Sequence, residues 1–152
     1  MREKLLYVVS AIVVVWALFL PGRRTEVLQA QTGAEWTEFH APAANTQATI
    51  THAAVVGKAH VADCVIAAFV AGATAPVAAT VNVVVRDGAA GSGTIKFQRP
   101  LSITAVAGDP GVPMEACGLS IVGTAGNAMT VEFTAAGGAN TIESVFIRGY
   151  DR

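Results

Sequence analysis

The sequence predicts an all-β fold, an antiparallel β-sandwich or jelly roll of seven or eight short strands preceded by an N-terminal apolar helix. Three observations carry this expectation. Turn-forming Gly, Asp, Asn and Pro residues recur at intervals of roughly ten residues along the second part of the chain. The stretches between them are rich in Val, Thr and Ile and alternate in polarity, as half-buried strands do. Ahead of them, Leu5 to Leu20 is an apolar run whose one polar member is Ser10. The chain thus divides into a signal peptide or single-pass anchor at 1–30, a lead-in segment at 31–47 and a β-sandwich domain at 48–152.

The leading run would span roughly 24 Å as a helix, whereas a hydrocarbon core of ~30 Å asks for about 20 residues and a signal-peptide core for about 7–15. It sits between the two. Arg2 and Lys4 before the run, Pro21-Gly22 behind it and Leu28-Gln29-Ala30 before Gln31 suit a cleavable signal. Arg23, Arg24 and Glu26 between run and cleavage point suit a retained anchor. Leu5, Trp16 and Leu20 mark the membrane segment in either case. The run has no polar face, which an ordinary amphipathic helix would need. The expected location is periplasmic, extracellular or membrane-anchored, with the β domain outside the cytoplasm.

In the lead-in segment, Trp36 and Phe39 are expected to plug one end of a sandwich, with Pro42 and Asn45 as punctuation. From Ala48, alternation places Ala48, Ile50 and His52 on one face and Thr49 and Thr51 on the other; Gly57-Lys58 then turns the chain. His60 to Val70 is apolar on both faces, the mark of a central buried strand. Thr80 to Arg86 sends Val81, Val83 and Val85 inward, with Val84 the apolar exception on the outward side. Asp87-Gly88 is a turn, extended by Gly91 and Gly93. Ile95 and Phe97 are expected inward, and Pro100 demotes the next stretch to an edge or bend. After the loop Ala107–Pro113, Met114 to Val122 reads as one broken strand. Met129, Val131 and Phe133 point inward and Thr130, Glu132 and Thr134 outward. Beyond Gly137-Gly138, Ser144 to Tyr150 closes the domain with Val145 and Ile147 inward. Phe146 then faces outward and, with Val84, forms a candidate contact surface.

Ten basic and eleven acidic residues give a net charge of −1. Without residues 1–30 the balance falls to about −3, and Lys58, Arg86, Lys96, Arg99, Arg148 and Arg152 are scattered, which argues against nucleic acid as a partner. Cys64 and Cys117 are either a disulfide, which export permits, or two buried thiols.

Motifs for catalysis are not found. His40, His52 and His60 lack HExxH or HxH spacing. A strand pair around Gly57 could bring His52 near His60 with Asp63 close by, but hydrogen-bonded or surface histidines are the favoured reading, so no metal is assigned. Asp87 and Asp109 lie in Gly-containing loops where calcium ligation is conceivable, yet Asp is the ordinary turn residue. Gly88–Gly93 has neither GxGxxG order nor a following Lys or helix, so it is a hairpin loop and no phosphate site. Ser92 has no GxSxG setting. The expectation is a protein that is not an enzyme and takes no cofactor.

Three stretches carry a resemblance: Ala44–Ile50, Val83–Gly91 and Ile121–Val131 with the closing Gly149-Tyr150. Over residues 36–151 the chain resembles small β-sandwich accessory proteins of tailed phages and prophages. The resemblance implies a structural role in a head or tail and no catalytic residues. The apolar leader departs from that pattern. The leading functional expectation is therefore a non-enzymatic structural module, exported or membrane-anchored, that packs against protein subunits of a larger complex or against itself. The alternatives are a virion head or tail accessory protein and an exported glycan- or calcium-binding module.

Overall fold

The computed structural model describes residues 33–152. The expected apolar helix with Leu5, Trp16 and Leu20 lies outside the described residues. Eight strands succeed one another: β1 (Glu35–His40), β2 (Thr49–His52), β3 (His60–Ala71), β4 (Ala79–Asp87), β5 (Thr94–Ile103), β6 (Met114–Val122), β7 (Met129–Phe133) and β8 (Thr141–Asp151). They form two antiparallel four-stranded sheets, ordered β1-β8-β3-β6 and β2-β7-β4-β5. One core lies between them. Val65, Ala67, Phe69, Val145 and Ile147 from the first sheet meet Val81, Val83, Val85, Met129, Val131 and Phe133 from the second.

β3 takes an interior place, paired with β8 on one side and β6 on the other, but only one of its faces is buried, since Ile66, Ala68 and Val70 are half-exposed on the other. One irregularity lets it serve two ends of the core. Its register against β6 and β8 shifts between Ala62 and Cys64. The extra residue at this bulge resets the inward/outward alternation, so Ala62 before it and Val65, Ala67 and Phe69 after it all reach the core. A second shift, between Val85 and Arg86 against β5, has the opposite result for Ile95. That residue is 44% exposed rather than inward, while Phe97 still packs against the core. Pro100 stands within β5, opposite Asn82. The strand continues through it because β5 is a sheet edge, where a missing N–H breaks no ladder. Met114 to Val122 pairs as one strand, with Gly118 at φ +72° marking its local distortion.

Two expectations are corrected at the start of the domain. The lead-in segment is itself structural, because β1 pairs with β8 from Glu35↔Tyr150 to His40↔Val145. The two-sheet body therefore begins before residue 48. Trp36 is buried as expected, but Phe39 is 63% exposed. The two residues are an odd number of positions apart, and a strand sends such residues to opposite faces.

Loops sort to two ends. The β1–β2, β3–β4, β5–β6 and β7–β8 loops are tied together by Gly72 N–H to Asn140 O, Gly108 N–H to Gly72 O and Asn45 N–H to Thr141 O. The β2–β3, β4–β5 and β6–β7 loops gather at the other end through Gly126 N–H to Lys58 O and Gly88 N–H to Ala128 O. The beginning of β1 and the end of β8 join this second group, where Asp151 N–H donates to Ala34 O.

Candidate functional site

That second end holds the densest group of titratable side chains. His52 closes β2, His60 opens β3 and Asp151 closes β8, with Trp36 and Glu38 on β1 beside them. One donor atom from each of His52, His60 and Asp151 lies within 4.8 Å of the other two. Asp151 Oδ1 is the hub, 2.7 Å from His60 Nδ1 and 3.0 Å from the indole Nε1 of Trp36, which donates to it. His52 Nδ1 lies 3.0 Å from Glu38 Oε1, and its Nε2 is 4.0 Å from Asp151 Oδ1. The Trp36 ring stacks on His52 at 4.2 Å and 11°, and the His60 ring stands edge-on to both.

Carboxylates accept hydrogen bonds and do not donate when ionised. His52 and His60 therefore each place an Nδ1–H on a carboxylate, with Nε2 as the second ring nitrogen. For His60, 1% exposed, that Nε2 has no partner among the described residues.

The proximity of His52 and His60 is the outcome considered from the sequence, but its route differs. The residues belong to different sheets and face each other across the sandwich instead of pairing in a hairpin. The acid is also different. Asp63, at the bulge, turns outward to receive the Arg148 guanidinium, and Asp151 takes the inner position as the register partner of His60. Asp151 was nonetheless visible in principle. It lies at even spacing from the inward Val145 and Ile147, as does Glu143, and a polar residue on the inward side of a strand is the signal to follow. The third histidine, His40, stands apart and accepts the Thr49 N–H at Nδ1.

Asp87 behaves as a capping residue, though for a distant loop. Its carboxylate accepts the Thr124 N–H at 3.0 Å, the Thr124 hydroxyl at 2.7 Å and the Asn127 amide at 3.2 Å, with Lys96 Nζ at 3.6 Å. Desolvation pushes its pKa upward but is outweighed by Thr124, Asn127 and Lys96, so the carboxyl titrates below its ordinary value. Asp109 caps its own loop through Thr104 and the Gly111 N–H. The Thr104 hydroxyl and Gly111 amide hold its pKa down as well. Both loop aspartates considered for calcium are thus engaged by protein donors. The Gly88–Gly93 loop also takes an anion, but an internal one. Gly91 N–H donates to the buried Glu132 carboxylate, which pairs with Arg86, and Arg86 Nη1 donates to Gly93 O at 2.9 Å.

Glu143 is the buried acid that sequence reasoning passed over. One oxygen accepts the Ala48 N–H at 2.9 Å and the other has no partner among the described residues. Burial raises its pKa against the opposing pull of the Ala48 and Gly137 amides.

Of the two residues expected to form a contact surface, Val84 is not available. It is 0% exposed, flanked in register by Gln98 and Glu132 on a face that other side chains cover. Phe146 does face outward, half-buried, on the open side of the first sheet. Phe39 and Ile66 are its register partners on either side, which makes a row of three large apolar residues across β1, β8 and β3. Val70 and Ile142 form a second apolar pair further along the same face. Cys64 and Cys117 are register partners on β3 and β6 and are joined as a disulfide, with Cα atoms 3.9 Å apart. No protein-family model matches this sequence, and a search of curated proteins finds no relative of it.

Proposed function

We propose that this chain is a non-enzymatic structural module, exported or held at a membrane by residues 1–30, that acts as a subunit of a protein assembly. The observation that carries this reading is the outer face of the β1-β8-β3-β6 sheet. An antiparallel sheet with one solvated face alternates apolar-in with polar-out. Here Phe39, Phe146 and Ile66 stand side by side outward, with Val70 and Ile142 beyond them. Ala68 and Ser144 lie between them; Arg148 and Asp63, beyond the aromatic row, are paired with each other, and Glu115 ends the row beside Ile66. An aromatic and aliphatic centre with few free charges is the composition of a protein–protein interface core. The occupant is accordingly a protein subunit, a second copy of this chain included.

The strand order supports a finer description of the fold. Eight strands in the orders β1-β8-β3-β6 and β2-β7-β4-β5 read as a jelly roll, an architecture used by viral capsid and lectin domains. The virion accessory role is therefore kept as the second reading, by fold-level analogy alone.

Sedimentation of the full-length chain in mild detergent tests the proposal. The expected result is a discrete assembly that Phe39→Glu dissociates; the exposed position of Phe39 leaves folding unaffected. A wild-type chain that sediments as a monomer and retains no protein from its native membrane would overturn it.

A further inference from the structure

We infer that His52, His60 and Asp151 form a binding site for a divalent transition-metal cation of the zinc class, a site independent of the interaction surface proposed above. Three strands from both sheets bring two imidazoles and a carboxylate to one place, with donor atoms within 4.8 Å of each other. Imidazole and carboxylate together suit zinc and its neighbours rather than calcium or magnesium. In a tetrahedral shell with metal–donor distances of about 2 Å, donors lie about 3.3 Å apart.

The second observation is the state of the nitrogens. His60 Nδ1, on a fully buried ring, is the nitrogen that meets Asp151 Oδ1, at 2.7 Å. His52 Nε2 lies 4.0 Å from the same Asp151 Oδ1, beyond hydrogen-bond reach. An ion seated between His60 Nδ1, His52 Nε2 and Asp151 Oδ1 takes the place of the proton that His60 and Asp151 share and fills the gap to His52. Glu38 already occupies the outer position that metal-bound histidines require, since it accepts the His52 Nδ1–H and fixes both tautomer and ring orientation. Trp36 does the same for Asp151 through its indole N–H while its ring covers His52. His52 retains partial exposure, which leaves a route for the ion.

Titration of the full-length chain with Zn²⁺ alone, read by calorimetry and by intact native mass, tests the site. The expected result is one ion per chain. His52→Phe preserves the stack on Trp36 but removes the nitrogen, and is expected to abolish stoichiometric binding. Glu38→Gln is expected to weaken it about 10- to 100-fold, and remains informative if the first variant folds poorly. Co²⁺ in place of Zn²⁺ should give visible absorption bands of a nitrogen–oxygen site in the wild type and lose them in His52→Phe. Failure of the wild type to bind Zn²⁺, or equal binding by the variants, would overturn the assignment and leave the group as a hydrogen-bonded network.

Discussion

At the residue scale, two buried carboxylates set opposite pH dependences. Glu143 binds its proton more tightly in the folded state than in the unfolded chain, because burial penalises its charge. Its contribution is neutral below the ordinary carboxylate range, becomes destabilising as pH rises through the raised folded value, and levels off above it. Glu143→Gln mimics the protonated acid, so it is expected to leave stability unchanged in acid and raise it at neutral pH, as read from urea unfolding at several pH values. Asp87 works the other way. Its folded pKa is depressed, so its stabilisation is complete above the ordinary value and is lost as pH falls through the lower, folded one. Asp87→Ala is expected to cost about 2–3 kcal/mol at pH 7 by removing buried charge-assisted hydrogen bonds, and to cost little in strong acid. Neither environment is legible in the sequence. The turn preference of Asp87 is, but Thr124 and Asn127, which decide its pKa, arrive from a loop far away along the chain.

At the scale of elements, strand identity is legible from period-2 patterning wherever the period runs unbroken. β4, β7 and β8 present Val81, Val83, Val85, Met129, Val131, Phe133, Val145 and Ile147 to the core as their alternation requires. Where a bulge resets the period, the pattern misleads, as with Ile95, and local sequence gives no measure of the shift. β1 is hidden for a different reason. As a short edge strand beside Pro42 it carries little repeating pattern, and pairing with β8 establishes it. That pairing depends on Gly149, whose Cα lies under the Trp36 ring. An added Cβ there would come within 2.5 Å of Trp36 Cζ2 and 2.2 Å of Val61 O. Gly149→Ala is expected to destabilise the domain by about 1–3 kcal/mol through overpacking, with a changed Trp36 fluorescence in the native state. Similar stability and fluorescence in the variant would show that β1 yields without cost.

For the whole molecule, the disulfide ties the edge strand β6 to the central strand β3 across a sequence separation of 53. Closing a loop of that length restricts the unfolded chain, and reduction is expected to cost about 2–4 kcal/mol, measured as a lower urea midpoint with reductant present. The all-β class of the described residues, the approximate number of strands and the interior place of β3 are all written along the chain. They depend on side-chain alternation and turn chemistry, which act between near neighbours. Which residues meet is a matter of tertiary packing: His52 and His60 with Asp151 instead of Asp63, Phe146 with Phe39 and Ile66, and Val84 beneath a covering that its alternation does not announce. Strand order, sheet assignment and bulge position govern those meetings, and each is set by contacts between segments far apart in the chain.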